Sequence, residues 1–284
     1  MSSMLFNDDC MKILKDIPDA SVDCICADLP YGQTRNKWDT IIPLEDYVIV
    51  NKHQLSKDEF LLYCYKTGQL DYRKALKHFN DNKKNGLWTE YKRIIKDNGA
   101  IILFANGMFT EKLMKSNEKM WRYNLIWEKT QPTGFLNANR MPLRSHEDIC
   151  IFYKKQTTYN PQKTNGHVRK VSTAEHKRNS KQSTNYNQVK NHSYDSTERF
   201  PKSIWKYPKD TQKSALTPTQ KPLALLEELI KTYTNPGDLV LDNTMGSGTT
   251  GIACKKLNRD FIGIEQDFEC YQIAQQRIGG DDNE

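Results

Sequence analysis

No apolar run in this 284-residue chain approaches the roughly 20 residues that a bilayer-crossing helix requires. The opening stretch, MSSMLFNDDC, is acidic where a secretory leader would be basic and then apolar. Paired cysteines are lacking too. Seven thiols stand at positions 10, 24, 26, 64, 150, 254 and 270, an odd and dispersed set that argues against a disulfide framework and suits a reducing cytoplasm. Cys24 and Cys26 have no matching second pair, so no zinc or other metal site is expected. The phosphate-cradling pattern G-x-x-x-x-G-K-[ST] is absent, and so is any internal repeat. These absences lead to the expectation of a soluble cytoplasmic protein with no membrane contact.

What is present is charge, unevenly placed. The formal net charge is +7, from 42 Lys/Arg against 35 Asp/Glu. Residues 154 to 213 hold 14 of those bases and only 4 acids, so one segment carries the whole basic excess. It is rich in Asn, Ser, Thr and Gln, which suits a tether. Phe200, Trp205 and Tyr207 could instead anchor a small module or stack on bases.

VDCICA (22 to 27) and AIILFA (100 to 105) are apolar throughout and bounded by turn residues, as buried strands are. Shorter candidates are Leu125 to Trp127, Ile149 to Tyr153, Leu239 to Leu241 and Phe261 to Ile264. Helical patterns lie between several of them, at Leu87 to Ile95, Leu223 to Tyr233, Thr250 to Leu257 and Glu269 to Ile278. Pro222 suits a first helical turn. Alternating strands and helices predict an α/β fold with a mostly parallel sheet and helices on both faces. Residues 47 to 86 break the rhythm and read as a helical insertion.

Residues 237 to 267, GDLVLDNTMGSGTTGIACKKLNRDFIGIEQD, run strand, glycine turn, helix, strand, acid. Gly246 and Gly248 allow a tight turn and close approach of backbone to ligand. Asp242 ends the first strand. Glu265 ends the second, where nucleotide-binding α/β folds grip a ribose diol. On the turn alone, an NAD site competes.

DNTMGSGTTGIACKKLNRDFIGIEQD resembles the S-adenosylmethionine motif of amino-group DNA methyltransferases, with a Rossmann-like fold. TPTQKPLALLEELI resembles the segment preceding it in the family's β group. DLPYG (28 to 32) resembles the D-P-P-Y signature, and NLIWEKTQPTGFLNANRMPLRSHEDICIFYK the middle motifs. The likeness spans 4 to 46, 87 to 155 and 216 to 278. It implies cofactor contacts at Asp9, Asp242, Gly246, Ser247, Gly248, Thr249 and Glu265, with Thr219 and Lys221 at the methionine carboxylate. Where the family usually has proline and phenylalanine after the strand-end aspartate, this chain has Asn243 and Thr244.

The resemblance also implies methyl transfer to an exocyclic amine, and the chemistry accounts for the tetrapeptide. An aryl amine has its lone pair delocalised into the ring and needs acceptors in place as it develops positive charge. Asp28 would accept one N–H through its side chain. The Leu29 carbonyl would accept the other, since Pro30 holds the residue before it extended. Tyr31 would offer a stacking face. An aspartate in the first position favours adenine N6 within the family, with cytosine N4 the alternative. An RNA methyltransferase and a non-catalytic nucleic-acid-binding module are the more distant readings. The resemblance further implies double-stranded DNA as the partner, with the target base flipped out, and leaves room for a homodimer, which the β group often forms. Trp38 and Asp39 in NKWD and His146 and Glu147 in SHED also sit in contexts similar to the family's, where each could equally be scaffold, and they stay outside the expected site. The domain reading is therefore a catalytic core at 1–46, 87–153 and 214–284, a helical insertion at 47–86 and a target-recognition segment at 154–213.

Overall fold

The structure is a computed structural model that describes residues 2–33, 39–173, 193–210 and 220–280. It divides into two compact units, Met1–Tyr159 with Ser203–Glu284, and Asn160–Lys202.

In chain order the strands are β1 (Ser3–Phe6), β2 (Val22–Ala27), β3 (Tyr47–Val50), β4 (His53–Ser56), β5 (Ile95–Ala105), β6 (Trp121–Thr133), β7 (Arg144–Phe152), β8 (Lys170–Ser172), β9 (Tyr194–Ser196), β10 (Ile204–Tyr207), β11 (Leu239–Asp242) and β12 (Asp260–Ile264). The α-helices are α1 (Cys10–Ile13), α2 (Lys57–Thr67), α3 (Tyr72–Asn82), α4 (Leu87–Ile94), α5 (Met108–Ser116), α6 (Leu223–Tyr233), α7 (Thr249–Leu257) and α8 (Phe268–Gly279).

The larger unit is built on an eight-stranded sheet in the order β1-β12-β11-β2-β5-β7-β6-β10. From β1 to β5 every pairing is parallel, and β7 is the strand that runs against its neighbours. The central strands are buried on both faces, which is why they read as unbroken apolar runs. Ile25 and Ala27 join one core cluster with Tyr91, Ile94 and Leu113 from α4 and α5. Cys24 and Cys26 join the opposite one with Leu225, Leu229, Ala253 and Ile278 from α6, α7 and α8. The thiols at 24 and 26 are therefore packing groups, and burial pushes both well above the usual thiol range.

Three expectations need correction. The segment from 47 to 86 is not helical alone, because it opens with a hairpin of β3 and β4. Asn51 and Lys52 both take positive φ (49° and 69°), the geometry of a tight two-residue turn. Helices α2 and α3 follow, and Val48, Phe60, Cys64, Ala75 and Phe79 make their own small core. The basic segment is also narrower as a unit than 154–213. Strand β10 pairs with β6 in the main sheet, Trp205 is buried there, and Trp127 donates its indole N–H to the Tyr207 carbonyl at 3.0 Å. Pro222 stands just before α6, and Asp210 accepts the free Leu223 N–H at 2.9 Å.

The unit Asn160–Lys202 holds the β8–β9 pair. Arg169 grips Asp195 through two bonds of 2.6 and 2.7 Å, and Lys163 lies 5.0 Å over the Phe200 ring. It retains nine Lys/Arg against three Asp/Glu. Among the described residues no helix is long and apolar enough to cross a membrane.

Candidate active site

Strands β2 and β11 are adjacent and parallel, so their C-terminal ends open onto one edge of the sheet. That topology brings Asp28, just past β2, to Asp242 and the glycine turn that follows β11. The two motifs touch: the Thr244 hydroxyl donates to the Asp28 carbonyl at 3.1 Å.

Within the DLPYG loop, the side chain of Leu29 is buried in the core at 3% exposure. Leucine in place of the usual proline thus anchors the loop by packing. Gly32 takes φ +67°, and the N–H groups of Gly32 and Gln33 donate to the two oxygens of Asp39 at 2.7 and 2.8 Å. Asp39 is the clamp of this loop; Trp38 lies outside the described residues. Tyr31 stacks on Phe109 with ring centres 5.0 Å apart, so one face of the expected platform is taken. Its hydroxyl donates to Asp28 Oδ1 at 2.7 Å. Burial and the neighbouring Asp28 charge push that phenol well above its usual range, so it stays a donor at neutral pH.

Lys221, which the resemblance assigns to the methionine carboxylate, pairs here with Asp28 Oδ2 and lies 3.5 Å from Glu147. Glu147 pairs in turn with the buried Lys129. Two carboxylates and two ammonium groups form a neutral quartet. Burial pushes the Glu147 carboxyl up, but Lys221 and Lys129 outweigh it and hold that carboxyl below the usual range. Burial pushes Lys221 down, and Asp28 and Glu147 reverse the effect. Thr219 lies outside the described residues.

At the cofactor motif, Asp242 is buried and both its oxygens are engaged within the turn. Oδ2 accepts from the Thr250 hydroxyl at 2.6 Å and Oδ1 from the Thr244 N–H at 3.1 Å. Burial pushes this carboxyl up to about 7. This geometry makes Asp242 a brace of the turn. Asn243 accepts from the buried Tyr91 hydroxyl. Ser247 donates to Gln220 at 3.2 Å, and Arg277 fastens Ser247 and Thr249 to α8 with bonds of 2.6 to 3.3 Å. Glu265 accepts from the N–H groups of Gly246 and Asp267, each at 2.8 Å. Asp9 caps α1 by accepting from the Met11 N–H at 2.8 Å. It follows β1, which pairs with β12 up to Phe6 and Ile264, so Asp9 and Glu265 sit at the same sheet edge.

The fit to a nucleoside ligand can be judged on Gly246. A Cβ built there meets no atom within 4 Å, so the turn opens onto free space beside the Glu265 carboxylate. Gly248 differs. Its φ is +81°, and a Cβ would come within 2.8 Å of the Ala274 Cβ. Gly248→Ala will therefore destabilise the protein by about 2–3 kcal/mol through backbone strain and crowding, checked by denaturation. An unchanged melting curve would refute this account of the turn.

Glu147, Lys129, Thr244 and Tyr91 were not singled out as site residues from sequence. A His-Glu pair inside a strand carries no local signal; the register Trp127↔Glu147 across β6 and β7 is what brings that carboxylate to Lys129 of β6.

Known proteins resemble this chain in sequence and in fold. The chain is 26% identical to the type II methyltransferase M.HpaI of Haemophilus parainfluenzae, covering all of this chain and 76% of that one. It is 29% identical to M.HinfI of Haemophilus influenzae, over 95% of this chain and 66% of the relative. Its fold is similar to that of the M1.HpyAVI–SAM complex (TM-score 0.56, 23% identity, 97% and 98% of the two chains). It is similar also to the PvuII cytosine-N4-specific DNA methyltransferase (TM-score 0.60, 14% identity, 100% and 88%). The sequence model of the DNA methylase family N6_N4_Mtase matches residues 22–276, and the chain belongs to that family.

Proposed function

We propose that the chain is a site-specific DNA methyltransferase acting on the N6 amine of an adenine flipped out of the duplex, with S-adenosylmethionine as methyl donor. The observation that carries this reading is the contact of Thr244 with Asp28, which sets the DLPYG loop beside the glycine turn. The Gly246 turn, Glu265 and Asp9 would hold the cofactor, with Lys221 near its methionine end. When bound, the cofactor supplies a sulfonium-activated methyl group.

The chain's own residues do the rest. A carboxylate offers about four acceptor sites over its two oxygens. Tyr31 and Lys221 occupy one on each oxygen, which leaves Asp28 able to accept an N–H of the target amine. The Leu29 carbonyl faces the second N–H. As the amine nitrogen becomes cationic, the Asp28 charge stabilises it, and the surplus proton leaves along those acceptors. Adenine is preferred over cytosine because aspartate holds the first position of the tetrapeptide.

The test is mass spectrometry of nucleosides from duplex DNA treated with the enzyme and S-adenosylmethionine. N6-methyladenine is expected; N4-methylcytosine would reassign the base. DNA affinity will also fall by about 10²-fold or more between about 50 and 200 mM salt, as the basic unit releases counterions. A flat response in a binding titration would remove that unit from DNA recognition.

A further inference from the structure

The β6–β7 hairpin does more than supply Lys129 and Glu147. Its stem lies in the site at the Trp127↔Glu147 and Glu128↔His146 pairings, and it continues to Thr133↔Arg144. Arg144 is three residues past Glu147, about 10 Å along the strand. The tip, residues 134 to 143, therefore rises from the same sheet edge that carries Asp28.

This tip is hydrogen-bonded within itself. Gly134 turns the chain at φ +92°, Phe135–Asn137 form a 3₁₀ turn, and Asn137 accepts from the N–H groups of Arg140 and Met141 at 2.8 and 3.0 Å. It nonetheless presents large apolar side chains to solvent: Phe135 is 80% and Leu136 99% exposed, with Met141 at 54%. The flanking charges have one sign. Arg140 and Arg144 are exposed, and no Asp or Glu occurs between Lys129 and His146. An apolar point on a hydrogen-bonded turn, rimmed by guanidinium groups, is complementary to a stack of bases edged by phosphates. Burial between bases removes apolar surface from water, and an aromatic ring offers a face on which any base can stack.

We propose that Phe135 and Leu136 form a wedge that enters the base stack beside the target and fills the space vacated by the flipped base. Arg140 and Arg144 hold the flanking phosphates. The proposal rests on the reading of the chain as a base-flipping DNA methyltransferase. Wedges of this chemistry unstack base steps in other DNA-bending contacts.

The experiment compares the full-length protein with its Phe135→Ala/Leu136→Ala double variant. The substrates are a fully paired duplex and the same duplex with an abasic site opposite the target base, where flipping is already easier. The duplex carries the site that methylation-sensitive sequencing of an expressing host's DNA identifies. The variant is expected to lose about ten-fold or more in kcat/KM on the paired duplex and to recover to within about three-fold of the parent on the abasic one. Its melting curve and S-adenosylmethionine binding should match the parent, since both side chains are exposed. Equal loss on both substrates, or no loss, overturns the wedge. So does equal loss with altered sedimentation, which would make the tip a contact between copies of the chain. A parent protein that methylates neither duplex overturns instead the methyltransferase reading on which the wedge rests.

Discussion

Asp28→Asn will bind S-adenosylmethionine as the parent does and lose methyl transfer by about 10²–10³-fold, the scale on which removing one preorganised charge-stabilising group acts. Asparagine keeps the volume and one oxygen, so Tyr31 or Lys221 retains a partner and the loop keeps its anchor at Leu29. What is removed is the negative charge facing the amine as it turns cationic. Asp28→Ala should show the same loss with an added stability deficit, because Lys221 then keeps only Glu147. Calorimetric titration of the cofactor beside single-turnover transfer separates the two effects. Full transfer by Asp28→Asn would take Asp28 out of the chemistry.

Lys221→Met has its largest effect on stability, and that effect depends on pH. Lys221 is nearly buried between Asp28 and Glu147, with a side-chain exposure of 10%. Removing it takes away the ammonium partner of Asp28 and one of those of Glu147, and breaking a buried pair in this way costs about 3–5 kcal/mol. In the parent, the Glu147 carboxyl is held below its ordinary 4.5 by the two lysines, against the push of burial. Stability from that pairing is present above pH 4.5 and is lost as pH falls through the depressed value. The variant's deficit will therefore be greatest at pH 7 to 8 and smaller near pH 4, as the Glu147 carboxyl, no longer held down by Lys221, takes up its proton. Denaturation curves at the two ends of that range check this, and a deficit of equal size at both would rule the account out.

The residues that announced the site were those with a local conformational demand. Gly246 and Gly248 take left-handed φ, Pro30 fixes the backbone at its neighbour, and the apolar runs of β2 and β5 are what a doubly covered sheet requires. What stayed hidden depends on register across the sheet. Glu147 enters the site because β7 runs antiparallel beside β5 and β6, and nothing within SHED reveals that pairing. The β3–β4 hairpin was missed because its turn is Asn51-Lys52 without a glycine, although both residues adopt the required φ. Trp205 looked like a candidate for base stacking, since its aromatic ring sits in a polar segment; the parallel pairing of β10 with β6 buries it instead. Asp242 was legible as a strand-end acid, but its two inward hydrogen bonds are visible only in three dimensions.

The departures at Asn243 and Thr244 make the two halves of the reaction centre mechanically continuous. Asn243 ties the turn to Tyr91 beneath the sheet, and Thr244 ties it to the backbone of Asp28. A ligand that stiffens one side leaves the other with less freedom to lose, so the two substrates will reinforce each other's binding by one common factor, whichever arrives first.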